Sequence, residues 1–373
     1  MPPSSHSMKD QEILEHSVGA MQFENDRYEV ELPWKFEKPH LNSSRRMAEK
    51  RLMNLFGRFE RDKELEREYI KLIDDHERKG YIKEIDEKQM ANEGWILPHF
   101  PVIKRDKETT KIRIVFDAAA KVEGRCLNDN IETGPKLYND LFDVLIRFRK
   151  NKVAIVCDIA EMFLQIGIIK KDRKYLRFLW KKDNQLKFYE FNRLVFGLNV
   201  APYLAQLVAQ ENARTFKEKY PRAVETIAES TYMDDSLDSV GTEKEASLLK
   251  AQLEEIWNKA GMRTQKWMSN STKVLENVPI ENRAIKLDIE EEGSMTMKTL
   301  GLRWVANLDV FEFSVKAFES ETLTKRLLLS WIARIFDPLG FLAAFVVRGE
   351  MIMQSIWITG ADWGSMKQER LCQ

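Results

Sequence analysis

Cysteine is nearly missing from this chain. Its three residues, Cys126, Cys157 and Cys372, lie far apart without C-x-x-C spacing, which argues against a disulfide framework or a zinc site. A reducing, intracellular setting is the inference that fits. Net charge is absent as well: 59 basic residues balance 59 acidic ones, so affinity for a polyanion has to come from local clustering. No apolar run reaches the ~18 residues that a membrane span needs, and the longest candidate, Phe341-Leu-Ala-Ala-Phe-Val-Val, stops at Arg348. The first residues, Met1-Pro-Pro-Ser-Ser-His-Ser-Met-Lys, lack the apolar segment of a signal peptide. What is present is a 43% hydrophobic, 10% aromatic chain of 373 residues, enough for one large domain or two to three modest ones with real cores.

Two stretches carry candidate chemistry. Lys152-Val-Ala-Ile-Val-Cys-Asp158-Ile is a near-continuous apolar, β-rich run ending in one acid, the pattern of a buried strand that presents a carboxylate at its end. Thr231-Tyr-Met-Asp234-Asp235-Ser236 follows a short strand and reads as a hairpin tip with two adjacent carboxylates. Acids from two neighbouring strands can converge on a pair of Mg²⁺ ions, which take few protein carboxylates and complete their shells with water and phosphate oxygens. Two such ions, about 3.5 to 4 Å apart, clamp the attacking and leaving oxygens of a phosphoryl transfer. A calcium loop competes for the same residues, since Asp234, Ser236, Asp238, Thr242 and Glu245 fall at its ligand positions. Ser239 stands where that loop needs glycine, Gly241 where it needs an apolar residue, and no amphipathic helix precedes it. A plain polar turn is the remaining reading; the fixed order of Asp158, a glycine turn and Asp234-Asp235 favours the metal pair.

Along the chain, residues 1–41 read as irregular, apart from Tyr28-Glu-Val-Glu-Leu-Pro-Trp34, which alternates like an edge strand stopped by Pro33. Residues 42–90 hold two amphipathic helices, with Leu52, Leu55, Phe56, Phe59 and then Leu65, Tyr69, Leu72, Ile73 at helical spacing and Gly80 as a C-terminal cap. Residues 95–117 read as a hairpin presenting Lys104, Lys111 and Arg113, side chains that can hold a triphosphate, although spacing alone leaves a plain exposed hairpin equally open. A helix with Leu137, Leu141, Val144, Leu145 and Phe148 on one face follows. Residues 170–182 interleave basic residues with Tyr175, Phe178 and Trp180, which fits either a strand along a nucleic-acid backbone or a solvated hairpin. Phe188 to Gly197 reads as a strand entering a glycine turn, and Pro202 starts a helix that runs to about Tyr220.

Tyr232-Met-Asp-Asp235 resembles the signature hairpin of reverse transcriptases, and Asp158-Ile-Ala-Glu-Met-Phe163 is similar to that family's first palm motif. Lys111-Ile-Arg-Ile-Val-Phe-Asp-Ala-Ala-Ala-Lys121, Cys126-Leu-Asn-Asp129, Ser269-Asn-Ser271 and Thr324-Lys-Arg-Leu-Leu-Leu-Ser-Trp-Ile-Ala-Arg-Ile-Phe-Asp-Pro-Leu-Gly340 look like the BEL/Pao class of long-terminal-repeat retrotransposon polyproteins. This resemblance spans residues 28 to 360.

The resemblance implies an α+β, right-hand polymerase fold whose antiparallel palm sheet packs on helices, after an N-terminal helical segment. Its fingers would be 91–127 and 166–201, its palm 128–165 and 202–304, and its thumb 305–373, ending before any RNase H domain. It implies an RNA-directed DNA polymerase, a nucleotidyltransferase that extends a primer with dNTPs on RNA or DNA template, with an inactive remnant that only binds nucleic acid as the alternative. Asp158, Asp234 and Asp235 would hold two Mg²⁺, or Mn²⁺ in their place. Lys111 and Arg113 would contact the triphosphate, Phe163 would exclude a ribose 2′-OH, and Gly197 would lie under the templating pair, with Phe196 where retroviral relatives have Gln. Lys266 would be the acid that protonates pyrophosphate, and Leu300, Gly301 and Leu302 would form the primer grip. No Asp-Thr-Gly or Asp-Ser-Gly protease signature occurs, and all five histidines precede residue 100, against an integrase zinc pattern. Protease, RNase H and integrase partners are thus expected outside this chain, no membrane is implied, and the expected location is cytoplasmic, in a particle-like assembly, or nuclear.

Overall fold

The computed structural model describes residues 7–37, 39–90, 94–103, 112–284, 296–313, 324–358, 360 and 362–364. From the N-terminus run α1 (Met8–Ala20), β1 (Gln22–Glu24), β2 (Arg27–Val30), α2 (Arg45–Arg61), α3 (Lys63–Arg78), β3 (Ile82–Ile85), and the paired strands β4 (His99–Ile103) and β5 (Ile112–Phe116). The middle holds α4 (Leu141–Phe148), β6 (Val153–Ile159), the one-turn α5 (Met162–Gln165), β7 (Gly167–Ile168), β8 (Arg177–Lys182), β9 (Gln185–Phe191), α6 (Ala201–Arg214) and α7 (Pro221–Glu229). Next come β10 (Thr231–Tyr232), β11 (Asp235–Val240), α8 (Glu243–Lys259), β12 (Thr264–Ser269) and α9 (Thr272–Leu275). The last elements are β13 (Thr296–Thr299), β14 (Leu302–Val305), β15 (Val310–Glu312), α10 (Lys325–Arg334) and α11 (Ala343–Ile358). The α+β class holds, with small sheets that are antiparallel except for the β2–β7 pair. The chain divides into two compact units, one of residues 1–138, 159–228 and 252–263, the other of residues 139–158, 229–251 and 264–373.

In the first unit the expected irregular tail is corrected by α1. Ser7 caps this helix reciprocally with Asp10, a hydroxyl and a carboxylate three residues apart that each take one free amide. Nor is the strand near Tyr28 an edge: β2 lies between β1 and β7, and Trp34 makes only an isolated bridge to Ile131. The two amphipathic helices stand as expected, their buried faces built from Leu52, Leu55 and Phe59 and from Leu65, Tyr69 and Ile73. Gly80, just past α3, has φ +68°, the left-handed cap for which glycine is suited. The helix expected to reach Tyr220 ends at Arg214, because Thr215 Oγ1 bonds back to Asn212 O at 2.7 Å and draws the last turn tight.

The basic stretch at 170–182 is largely neutralised within this unit. Lys171 pairs with Glu31, Arg173 with Glu29, Arg177 with Glu190 and Lys182 with Glu77, at 2.5 to 3.0 Å. These pairs, and the burial of Arg177 to Trp180, weigh against a strand that tracks a nucleic-acid backbone, and they leave only the Lys181-Lys182 end of the hairpin in contact with solvent.

Aromatic rings fill the core between α3 and the strands. Tyr69 stacks on Trp180 at 5.4 Å, and Phe116 meets Phe178 and Phe191 edge-on at 5.0 and 4.6 Å. His99 lies among them, 5% exposed. Its Nε2 donates to Leu179 O at 2.8 Å, which leaves Nδ1 to accept the Tyr69 hydroxyl at 2.5 Å. Burial pushes its pKa down to about 4. Between that value and the unfolded value of ~6.5 the unfolded chain binds more protons, so the stability is complete above about pH 6.5 and declines as pH falls toward 4, by about 3 kcal/mol in all. Urea unfolding at pH 7 and pH 5 is expected to show a loss of about 2 kcal/mol that His99→Gln removes; an equal loss in that variant would assign the pH dependence to other groups.

The second unit is built on the four-stranded sheet β10-β11-β6-β12. Asp140 caps α4 by accepting from Phe142 N, so the helix starts at Leu141 and leaves Leu137 outside it. Val144, Leu145 and Phe148 form its buried face and pack in one core with Val156, Leu237, Met268 and Trp304. The sheet β13-β14-β15 supplies Leu302 and Trp304 to that core. α10 and α11 share a small core of Leu328, Met353 and Ile356. Among the described residues no helix is long and apolar enough to cross a membrane.

Candidate active site

Strand β6 is a hydrophobic segment with one acid near its end. Val153 to Cys157 are all buried, and Asp158 is the first residue to reach solvent in part. Strand β11 lies antiparallel beside it in a register that sets Asp235 opposite Asp158, Ser236 opposite Cys157 and Leu237 opposite Val156. Directly opposed residues stand about 4.5 to 5.5 Å apart at Cα. The register thus brings together two acids that are 77 positions apart in the sequence (235 minus 158). Asp234 sits beside them in the turn, since Tyr232 pairs with Asp235 and leaves Met233-Asp234 as a two-residue connection. Met233 takes φ +56°, a left-handed conformation that strains a side chain larger than glycine. The hairpin is pinned below by Thr231 and Ser236, whose hydroxyls lie 2.8 Å apart.

Like charges directly opposite one another disfavour a strand pair. Strand β12 supplies the counterweight: Gln265 Nε2 donates to Asp158 Oδ1 at 2.6 Å, and Lys266 Nζ to Oδ2 at 2.9 Å. Among the described residues no group of three His, Cys, Asp or Glu is arranged to hold a metal. The donor set nevertheless fits a hard divalent cation, because it offers carboxylate oxygens from facing strands and Lys266 already stands at Asp158 as a cation.

The expected nucleotide-contacting residues belong to the first unit. Phe163 lies in α5, half-buried, its ring 4.6 Å from that of Phe196. Phe196, the residue before Gly197, therefore has a packing role against Phe163. Glu161, at φ +50°, starts this turn and is held by Lys79 Nζ at 3.0 Å and Tyr81 OH at 2.8 Å. Gly197 has φ +117°, and a Cβ built there would stand 1.8 Å from Phe116 O at the end of β5. Asn128 braces that turn by donating to Gly197 O at 3.0 Å and accepting from Asn199 N at 3.1 Å. Arg113 projects from β5, exposed and, among the described residues, without an ion pair; Lys104 and Lys111 lie outside the described residues.

In the second unit, Leu300 and Gly301 form the two-residue turn between β13 and β14, both at positive φ. Leu302 is 2% exposed, its side chain sent into the core by strand alternation while Arg303 stays exposed. Sequence reading missed Asn128, Phe196 as a packing partner, and Gln265. Asn128 had a signal in the Cys126-Leu-Asn motif, whereas Gln265 had none, because a lone glutamine beside a lysine has the composition of any exposed strand.

Residues 107–274 match the family described as Reverse transcriptase (RNA-dependent DNA polymerase). Residues 324–373 match the Pao retrotransposon-like RNaseH-like domain. No curated protein matches the chain. The second match corrects the expectation that no RNase H part is present, and it takes in the helices α10 and α11 that were expected to be thumb. Asp158, Asp234 and Asp235, with Phe163 and Gly197, fall inside the first match. Residues 107–274 thus carry a reverse transcriptase domain, which indicates an RNA-directed DNA polymerase of the nucleotidyltransferase class, and together with the Pao match it is consistent with the reverse transcriptase region of a BEL/Pao-class retrotransposon.

Proposed function

We propose that this chain extends a primer with dNTPs on an RNA or DNA template, and that Asp158, Asp234 and Asp235 are its metal-holding acids. The single observation that carries this reading is the register that sets Asp235 opposite Asp158 with Asp234 in the adjoining turn. When bound, a pair of Mg²⁺ or Mn²⁺ ions stabilises the attacking and leaving oxygens of the phosphoryl transfer. Asp158 and Asp235 offer oxygens from rigid, paired strands, which keeps them preorganised. Arg113 forks toward the triphosphate, with Lys111 as its partner in that task. Lys266, at the edge of the acid pair, gives its proton to the departing pyrophosphate. The Leu300-Gly301 turn, with Leu302 directly after it, holds the primer. In this reading residues 91–127 and 166–201 are fingers, residues 128–165 and 202–304 palm, and the thumb begins at residue 305.

Primer extension on an RNA template with dNTPs and Mg²⁺ tests the proposal. Template binding without any extension, at intact fold, would instead favour the inactive remnant. Sugar choice gives a second readout, motivated by the half-buried Phe163 ring braced on Phe196. Phe163→Ala is expected to raise ribonucleotide incorporation relative to dNTP by about tenfold or more, the discrimination that a removed steric clash of 1 to 3 kcal/mol supports. An unchanged rNTP to dNTP ratio would place the sugar gate elsewhere.

A further inference from the structure

Strand β12 breaks its own alternation where it meets Asp158. Neighbouring side chains in a strand point to opposite faces, yet Gln265 and Lys266 both reach the same carboxylate, one on each oxygen. Lys266 makes this possible with φ at +53°, a left-handed residue inside a strand. Such a residue turns two successive side chains to one side, as a bulge does. A glycine would take this backbone without strain; a lysine there holds its charge at Asp158 against it. Strain of this kind persists only where the surroundings fix it, and it collects at functional sites.

The two donors differ in freedom. Gln265 is half-buried between the buried Thr264 and the exposed Lys266, and its amide is the shorter of the two contacts. The Lys266 side chain is 45% exposed against 15% for Asp158, so the ammonium can leave into water while the carboxylate stays. The facing Asp235 means that a cation at Asp158 relieves repulsion between opposed acids. In this chain Lys266 provides that cation.

The geometry points to a two-part cradle for Asp158, in which Lys266 is an exchangeable counter-cation on Oδ2 that a divalent ion displaces, while Gln265 is a positioning residue that keeps Oδ1 oriented throughout. This rests on the metal-holding reading of Asp158, Asp234 and Asp235. Its consequence is competition: cation entry exchanges one positive partner of Asp158 for another.

Titration of the full chain with Mn²⁺, with free Mn²⁺ followed by electron paramagnetic resonance and neither primer nor nucleotide present, reads the competition without reference to activity. Lys266→Met is expected to bind Mn²⁺ about two- to fivefold more tightly, the range that a lost exposed ion pair allows. Lys266→Gly, which also relieves the left-handed strain, is expected to tighten binding too, and it serves if the Met variant folds poorly. Lys266→Arg keeps the competitor and stays within about twofold of the natural chain. Gln265→Leu is expected to weaken binding about tenfold, as loss of an orienting partner of a metal ligand does. Unchanged or weaker Mn²⁺ affinity in both Lys266→Met and Lys266→Gly would overturn the exchange, and unchanged affinity in Gln265→Leu would overturn the positioning role. If the natural chain binds no Mn²⁺, or Asp234→Asn binds it equally well, the metal-holding reading falls along with the cradle. If Asp234→Asn loses binding while the Lys266 and Gln265 variants match the natural chain, the cradle alone falls.

Discussion

Asp234→Asn is expected to lower primer extension by at least about a thousandfold while leaving the chain as stable as before, or slightly more so. The size follows from the role: a carboxylate that holds a catalytic cation supplies several kcal/mol of charge stabilisation, and about 4 kcal/mol corresponds to three powers of ten in rate. Asparagine keeps the shape and the hydrogen-bonding reach of aspartate, so the Met233-Asp234 turn has no steric reason to move. The opposite signs make the test sharp. Asp234 adjoins a pair of acids set face to face, Asp158 and Asp235, and removal of one negative charge relieves repulsion in the folded state. A fold-damaging substitution would lower activity and stability together, whereas loss of a metal-holding charge separates them. Asp158→Asn is expected to behave similarly in rate. Extension that survives Asp234→Asn within about tenfold would remove that residue from the metal-holding set.

The acids were legible because they sit on two of the plainest strands in the sequence. Val153 to Cys157 is buried throughout, so its apolar run could be read directly, and Asp158 stood out as the acid that ends it. The hairpin after Tyr232 was legible from its turn-forming acids, and the register that joins the two strands follows from the need to bury Val156 and Leu237 in one core. What sequence could not show was the environment of Asp158. Periodicity places Gln265 and Lys266 on opposite faces of a strand, and only the positive φ of Lys266 brings them together. Alternation along β14 takes the Leu302 side chain into the core with Trp304, directly after the Leu300-Gly301 turn. In the N-terminal stretch, Ser7 and Asp10 carried a capping signal that polar composition masked, so α1 was missed. The aromatic core around Trp180 was legible only in part, because residues 170–182 mix rings and cations and their acidic partners Glu29, Glu31, Glu77 and Glu190 lie elsewhere in the chain.

Gly197→Ala is expected to cost about 2 to 4 kcal/mol of stability and to take most of the extension activity with it. Two causes add at this position. The first is conformational: φ of +117° is open to glycine and closed to L side chains. The second is contact, because an added Cβ would meet Phe116 O at 1.8 Å and Phe116 C at 2.9 Å, both of them backbone atoms that cannot rotate away. Relief requires the turn and β5 to separate, and three hydrogen bonds between Asn128 and residues 197 and 199 resist that separation. Gly124 isolates the first cause from the second, since it has φ +83° with nothing within 4 Å of an added Cβ. Gly124→Ala is expected to cost only about 1 kcal/mol, the ordinary penalty of a left-handed non-glycine residue. The excess in Gly197→Ala over Gly124→Ala, measured by urea unfolding, therefore reports the close approach of the turn to β5, the strand that carries Arg113. Asn128→Ala is expected to recover part of that excess, because it frees the turn to move; equal costs for the two alanine substitutions would mean that the backbone at Gly197 gives way readily and does not hold a fixed surface.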